Sequence, residues 1–433
     1  MTQARMYQPD IETMARPRLE ALQLERLKKI VHHAYANVPH YRASFDRAGV
    51  KPADLRGRED LARFPFTVKS DLRDNYPFNL FAVPREQVVR LHASSGTTGR
   101  PTVVGYTRTD LDNWSDLVAR TLAAAGVRRG ELVHNALGYG LFTGGLGFHY
   151  GAERLGCTVT PMSGGNTEKQ ILMLQDLGAT VLFATPSYAL NLAEVAEGMG
   201  TEKSSIALRL AVFGGEPWSD EMRAIIDRRL GVRCQDTYGL SEICGPGVSG
   251  ECTERNGLHG WEDHFLFEVV DPETMAPLPY GESGEVVITT LTKEALPMIR
   301  YRTRDISRLN AEPCACGRTH VRLERIAGRN DDMLIIRGVN VYPSQIEAVM
   351  MGRPGVSPHY QLMVRREGAL DALQVEVEAD MASRPDDYAA IAGDVRRHIK
   401  AMIGITCDVT VLLPGEIPRS LGKAIRVRDL RKS

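Results

Sequence analysis

Three groups of side chains in this 433-residue sequence have the types and spacing to do chemistry. The first is Ser94-Ser95-Gly96-Thr97-Thr98-Gly99-Arg100-Pro101. Its glycines free the backbone to curl with N–H groups pointing inward, and four hydroxyls add donors, which suits a polyphosphate. The Gly-Lys-Ser/Thr that ends a Walker A loop is missing, and an ordinary polar turn would have the same composition. The second group is two carboxylates and a lysine: Glu242 in Tyr238-Gly239-Leu240-Ser241-Glu242, Asp305 in Arg302-Thr303-Arg304-Asp305, and Lys423 in Leu421-Gly422-Lys423. Taken singly, Glu242 is a surface carboxylate at a helix start and Asp305 an ion-pair partner for Arg302 or Arg304. Lys423 alone is a solvated member of a basic tail with Arg419, Arg426 and Arg428. The third group, Cys252-x6-His259 with Cys314-x-Cys316, offers three thiolates and an imidazole, enough to close a tetrahedral zinc site. The spacing matches no standard finger, His320 competes as a ligand, and free buried cysteine is the plain alternative.

The elements that must position these groups follow from composition and periodicity. The chain is 43% hydrophobic and 25% charged, with 53 basic against 54 acidic residues. That balance gives no footprint for wrapping nucleic acid or an anionic membrane, and aromatics at 6% are too sparse for a base-stacking platform. No apolar run approaches the ~18 residues that span a bilayer. The start, Met1 to Arg18, is polar with scattered charge and lacks the apolar core of a secretion signal. With seven cysteines and no export signal, the expectation is a cytoplasmic protein without a disulfide framework.

Residues 1–90 read as helical and then irregular, punctuated by Pro39, Pro52, Pro65, Pro77 and Pro84. Trp114, Leu117, Val118 and Leu122 share a helical face that Gly126 closes. Strand-like runs at Leu132–Leu137, Cys157–Pro161, Thr180–Thr185, Leu208–Phe213 and Val232–Thr237 begin about 23 to 28 residues apart, with helical patterns between. One helix opens at Ser219, an N-cap followed by Asp220 and Glu221, and carries Met222, Ile225 and Ile226 on one face. This is the rhythm of βαβ units in a largely parallel sheet. After Cys244 the helices stop. His264–Val270 and Glu285–Leu291 predict a small antiparallel subdomain, and Gly328–Asp332 is a polar junction. In the tail, strands at Asp332–Ile336, Tyr360–Val364, Leu373–Val377 and Val409–Leu413 alternate with helices near Pro343 and Pro385 in the order of a split-βαβ domain. The fold class is therefore α/β. A large N-terminal domain, 1–328, holds a helical and irregular part (1–90), an α/β part with mostly parallel sheets (91–243) and a β-rich part (244–328). A small α+β C-terminal domain, 329–433, follows.

Five signatures stand in a fixed order: the 94–99 turn, Tyr238–Glu242, Arg302–Asp305, Gly328-Arg329-Asn330-Asp331-Asp332 with Arg337-Gly338-Val339-Asn340-Val341-Tyr342-Pro343, and Leu421–Lys423. Together they resemble the adenylate-forming superfamily of acyl-CoA synthetases, and within it the phenylacetate–CoA ligase family, from about Asn37-Val38-Pro39 to Lys423. The resemblance implies a two-step ligase in which a carboxylate attacks the α-phosphate of ATP and coenzyme A thiol then displaces AMP. It also implies the roles. Ser94, Ser95, Gly96, Thr97, Thr98 and Gly99 would cradle the β- and γ-phosphates, and Glu242 would bind Mg²⁺. Asp305 would hold the ribose, with Arg329 beside the nucleotide. Gly215, Glu216 and Pro217, with Asp236 and Tyr238, would flank the adenine, and Thr237 and Gly239 would also bind the nucleotide. Lys423 would bridge the attacking oxygen and the α-phosphate, where negative charge grows. The small domain would swing about Asp331 between adenylating and thioester-forming poses. Members of the family carry a similar Cys/His set, which favours a structural zinc on Cys252, His259, Cys314 and Cys316.

By the same resemblance Tyr139, Phe142, Gly144 and Phe148 line one side of an aryl-acid pocket, and Gly214 and Pro246 the other. Two positions depart from the family. Phe148 stands where phenylacetate ligases usually carry a small residue and would shorten or reshape the pocket. Arg100 replaces a lysine, keeping the charge but not its point geometry. The implied activity is an ATP-dependent aryl-acid:CoA ligase, with phenylacetate the leading acid. Hydroxyphenylacetate, indoleacetate, benzoate or a non-CoA acceptor is the alternative. No nucleic-acid or membrane partner is expected, and a homodimer is expected by analogy.

Overall fold

The computed structural model describes residues 6–94, 101–330, 333–336, 339–367, 370–420 and 423–432. Three hydrophobic cores organise the chain. The buried members of two lie within Leu27–Leu323, and those of the third run from Leu334 to Val409. Residues through 330 are called the large lobe below, and those from 333 the small lobe. No helix among the described residues is long and apolar enough to cross a membrane.

The large lobe is built on a nine-stranded sheet. Thr158–Thr160, Leu132–Asn135, Val181–Ala184, Leu210–Phe213 and Arg233–Leu240 pair in parallel. The sheet then reverses and continues antiparallel through Gly245–Glu251, Leu258–Gly260, Arg322–Leu323 and Leu309–Asn310. The parallel half is the one the strand–helix rhythm predicts. The antiparallel half makes the sheet mixed: it begins at the tight turn after Leu240, which leaves no room for a crossover helix, and its outer strands come from residues 309–323. The helices between the parallel strands start and stop as their sequences dictate. In helix Arg108–Ala125, Thr107 and Asp110 form a reciprocal capping box and Gly126 ends the helix at φ +99°. Ser219 accepts a hydrogen bond from Met222 N–H at 3.1 Å and opens helix Asp220–Leu230. Against the large sheet lies a four-stranded antiparallel one: Phe265–Val270, Gly284–Thr290, Tyr301–Ser307 and Gly328–Arg329. It is the antiparallel subdomain expected after Cys244.

The small lobe differs from the expected split-βαβ order. Leu334–Ile336 does not join the main sheet but pairs with Val339–Val341 in a separate hairpin. The main sheet runs Asp408–Leu412, Leu370–Ala379, Val356–Glu367, Val427–Asp429, and its last strand was not foreseen. Val427–Asp429 is three residues long, with Arg426 before it and Arg428 at its centre, so it carries no alternation to read. Helix Tyr388–Ile403 buries Ile391, Val395 and Ile399 as its i, i+4, i+8 pattern requires.

The N-terminal helices are tied to the β-rich end by one fully buried ion pair. Arg318 Nε donates to Glu12 Oε2 at 2.6 Å, and both side chains are 0% exposed. Removing one charge from such a pair forfeits a buried, charge-assisted hydrogen bond, with Cys316 left as a neighbour of the Arg318 guanidinium. Glu12→Gln should therefore lower the unfolding free energy by about 2 kcal/mol in a denaturant titration; a change below about 0.5 kcal/mol would mean that the remaining partners of Arg318 take up the loss.

Candidate active site at the seam between the lobes

The site forms where the large sheet changes direction. Strand Arg233–Leu240 is the last parallel strand, and a tight turn through Glu242 sends the chain back antiparallel. Reversals of this kind leave a crevice beyond the carboxyl ends of the parallel strands. The turn is possible because Gly239 has no side chain: a Cβ there would lie 2.0 Å from the Gly245 carbonyl oxygen. It presents Glu242 at only 5% exposure, with Lys69 Nζ 3.6 Å from Oε1. Lys69 opens a short helix of the N-terminal part, Lys69–Asp74, and sequence reasoning did not single it out. A lysine one turn from a proline-rich stretch has no local signature, and only the long-range contact marks it.

Facing this turn is the strand Tyr301–Ser307. Tyr238 donates its phenolic hydrogen to Asp305 Oδ2 at 2.6 Å, and Arg329 Nη1 lies 3.7 Å from Asp305 Oδ1. Asp305 and Arg329 are register partners across adjacent strands. Burial, reinforced by the Asp305 carboxylate, holds the Tyr238 hydroxyl well above its ordinary pKa, so it remains a donor. Arg304, just before Asp305, sits at φ +69°, a conformation that few non-glycine residues adopt.

Asp236 and Thr237 lie deeper on the same strand, at 8% and 5% exposure. Burial, then the charge of Glu251, pushes the Asp236 carboxyl up to about 7. Gly214 is wedged against Thr237, with room for a Cβ only 2.8 Å from its Oγ1. Glu216, two residues on, is shared. Its Oε1 accepts from Ser187 N–H at 2.6 Å, and its Oε2 accepts from Ala424 N–H of the small lobe at 2.8 Å. That second bond sets Lys423 against the crevice, its Cε 3.4 Å from where a Cβ on Gly215 would be. Lys423 remains open to solvent by surface area, yet the protein around it is dense enough to lower its pKa. Burial is the largest cause and Arg329 adds to it, while Glu216, Glu242 and Asp305 oppose. Among the described residues Lys423 makes no ion pair, so its charge is uncommitted.

Ser94 ends the hairpin Arg90–Ala93/Val103–Tyr106, its N–H bonded to the Thr102 carbonyl at 3.0 Å and its hydroxyl to that of Thr102. Ser95, Gly96, Thr97, Thr98 and Gly99 lie outside the described residues, as does Asp331. The hairpin nevertheless anchors both ends of the turn, and Ala93 N–H bonds the Leu141 carbonyl at 2.9 Å.

The residues expected around an aryl ring fall into distinct settings. Tyr139 is half-buried; its oxygen accepts from Asn135 Nδ2 at 2.8 Å and meets His149 Nδ1 at 3.0 Å. Phe148 is 2% exposed and packs on Phe183, ring centroids 4.9 Å apart. Phe142 is 52% exposed and Gly144 half-buried at the start of helix Thr143–Leu155. Pro246 is half-buried, and its carbonyl accepts from Trp114 Nε1 at 2.9 Å. Phe148 thus lies in the interior and Phe142 does not.

Away from the crevice, Cys252, His259, Cys314 and Cys316 converge with all donor atoms within 4.8 Å of one another, every residue buried. Cys252 Sγ lies 3.7 Å from Cys314 Sγ, and His259 Nε2 is 3.4 Å from Cys316 Sγ. His259 Nδ1 points to the His320 carbonyl at 3.4 Å, the outer partner expected of a metal-binding imidazole. His320 is not a fifth candidate. Its Nδ1 accepts from Glu262 N–H at 2.9 Å and its Nε2 faces the Ile11 carbonyl at 3.0 Å.

Comparison with known proteins agrees with this geometry. The family model described as "AMP-binding enzyme" matches residues 20–292, and "AMP-binding enzyme C-terminal domain" matches 338–431. A phenylacetate-coenzyme A ligase of Thermus thermophilus is 55% identical over 99% of this chain and 100% of its own length. A 2-hydroxyisobutyryl-CoA ligase crystallised in its postadenylation state with an acyl-AMP superposes with a TM-score of 0.94 at 30% identity, covering 100% of this chain and 94% of that one. The same ligase in its thioesterification state, with acyl-AMP and CoA, gives 0.74 at 32% identity over 99% and 93% of the chains. The chain thus superposes more fully on the first of those states than on the second.

Proposed function

This chain belongs to the phenylacetate-coenzyme A ligase family of AMP-binding enzymes, and from that premise we propose how its residues activate an aryl acid. The reaction is that of an acid–thiol ligase consuming ATP and coenzyme A and releasing AMP and pyrophosphate. The proposed acid is phenylacetate. The observation that carries the reading is an uncommitted cation, Lys423, delivered by the small lobe onto a crevice rimmed by Glu242, Asp305 and Glu216.

In the first half-reaction a carboxylate oxygen of the acid attacks the α-phosphorus, and the bond to pyrophosphate breaks. Catalysis here is positioning and charge neutralisation. Ser94 to Gly99 would hold the β- and γ-phosphates. Asp305, its geometry set by Tyr238 and Arg329, would take the ribose hydroxyls, while Gly215–Pro217 with Asp236, Thr237 and Gly239 would enclose the adenine. Lys423 would neutralise the charge that builds on the attacking and α-phosphate oxygens. Glu242 would offer its carboxylate to Mg²⁺, an ion that would supply neutralising charge to the polyphosphate. In the second half-reaction the small lobe, 329–433, would turn about Asp331 relative to residues 1–328. The coenzyme A thiolate then attacks the acyl carbon and AMP leaves.

Tyr139, Gly144, Gly214 and Pro246 are the proposed walls for the ring. Phe148 would close the slot from the core side and Phe142 would stand at its mouth. Burial of Phe148 favours a compact ring, hence phenylacetate before indoleacetate. The four-donor cluster fits a structural Zn²⁺: four protein ligands leave no open position, and none lies at the crevice. A homodimer, a cytoplasmic location and the absence of nucleic-acid or membrane partners complete the reading.

Lys423→Ala should slow acyl-AMP formation, followed by pyrophosphate exchange, by about a hundredfold or more while leaving thioester formation from supplied acyl-AMP much less affected. Equal loss in both would overturn the assignment. With the intact enzyme, phenylacetate should exceed indoleacetate in kcat/KM by about tenfold or more. Exchange that proceeds normally but yields no thioester with coenzyme A would point to another acceptor. Metal analysis should find zinc in the purified protein and little in Cys314→Ser, with a lowered Tm; zinc-free protein of undiminished Tm would leave the cluster as free thiols.

A further inference from the structure

Three carboxylates, Glu194, Glu216 and Glu347, bond across the seam between the lobes, and each has a second attachment in its own lobe. Glu194, on helix Pro186–Gly198 of the large lobe, is the most connected. Its Oε1 is hydrogen-bonded to His359 Nε2 of the small lobe, and its Oε2 accepts from Arg419 Nε, four residues before Lys423, at 2.8 Å. Arg229 of the large lobe stands 3.6 Å from Oε1. Arg419 in turn grips Glu378 of its own lobe through both terminal nitrogens, at 2.7 and 2.8 Å. Glu347 repeats the pattern from the other side: Oε1 accepts from Ser219 N–H across the seam at 2.9 Å, Oε2 from Tyr360 hydroxyl at home at 2.9 Å. Burial opposes ionisation of Glu194, but His359 and the two arginines outweigh it and keep its pKa below the ordinary value.

We propose that Glu194 is a positioning residue for the adenylating pose: through Arg419 and His359 it pins the segment that carries Lys423, and it releases that segment when the small lobe turns. The proposal rests on the reading of Lys423 given above. The energetic logic lies in the duplicate partners. Breaking a buried ion pair is expensive when it leaves one charge unpaired. When the lobes part, Glu194 keeps Arg229 and Arg419 keeps Glu378, so neither is stranded. A cavity of about 220 Å³ lined by Ser187, Leu190, His359, Arg419, Lys423 and Arg426 adjoins the contact, so solvent already reaches the groups that must separate. Arg419 and Lys423 are thus held from two sides, by Glu194 before the lysine and by Glu216 bonded to Ala424 just after it.

The test separates the two half-reactions in the full-length enzyme. Glu194→Gln should lower pyrophosphate exchange about tenfold, the effect of a seam weakened by one such contact, while conversion of supplied acyl-AMP to thioester is unchanged or faster. His359→Gln should move both rates in the same directions but less. Glu197→Gln, which loses only the large-lobe partner Arg229, should leave both rates as they were. In a Lys423→Ala background, Glu194→Gln should have no further effect on exchange, because it acts through that lysine. If Glu194→Gln slows both half-reactions alike, or slows neither while Lys423→Ala abolishes exchange, the positioning role is wrong and the function stands. If Lys423→Ala leaves exchange intact, the underlying reading fails first.

Discussion

In the proposed function the arrangement depends on one requirement: a positive charge must meet a crowded negative one and then leave. A lysine fixed within the large lobe could neutralise the charge growing at an α-phosphate, but it would then occupy the space that a second nucleophile needs. Placing it on a separate lobe removes that conflict and creates another, since a lone cation on a tail samples solvent. Lys423 is held not by an ion pair of its own but by bonds to the backbone and side chains on either side of it, at Ala424 and Arg419. Among the described residues its ammonium therefore makes no ion pair, and its position is set by the groups on either side of it.

The same economy governs the crevice. Tyr238 keeps its proton because burial and Asp305 hold its pKa high, so it orients the carboxylate without competing for charge. The reversal at Glu242 depends on Gly239, whose bare Cα lets one strand fold back against the Gly245 carbonyl. At the junction, Gly328 meets the ring of Tyr342, with space for a Cβ only 2.6 Å from Cδ1, so the small lobe's first helix approaches the last strand of the antiparallel sheet closely.

Local rules were legible in the sequence and long-range ones were not. Ser219 and Gly126 announced their helix ends because caps are set by neighbouring residues. The parallel strands announced themselves by recurrence. The motifs around Tyr238, Asp305 and Lys423 were readable, but only the structure brings Tyr238 to Asp305, 67 residues apart. The Cys/His set was legible as a group, and packing alone settled that His320 is spoken for elsewhere. Lys69, Glu194 and Arg419 were invisible as a group. Each is an unexceptional charged residue, and the sequence separation of 225 between Glu194 and Arg419 leaves no pattern to detect. The hairpin at Leu334–Ile336 misled for the opposite reason: its strands are too short for alternation to tell a hairpin from a sheet strand.

The Cys/His cluster, though distant from the crevice, bears on it through register. Strand Gly245–Glu251 runs from the reversal at Gly239 to Cys252, a span of about 20 Å at the usual rise per residue. A slip of one residue along it would turn every side chain to the opposite face and carry the Gly245 carbonyl away from Gly239. Hydrophobic pattern defines register weakly here, because the sequence is Gly-Pro-Gly-Val-Ser-Gly-Glu. Two devices at the far end supply what the pattern lacks. Glu251 receives both terminal nitrogens of Arg223, at 2.9 and 3.0 Å, together with the Asp236 N–H at 2.8 Å. Cys252 joins the four-donor cluster one residue later. A glycine-rich strand can thus approach the crevice closely where bulk is forbidden, because its position is fixed at the other end by charge and thiol.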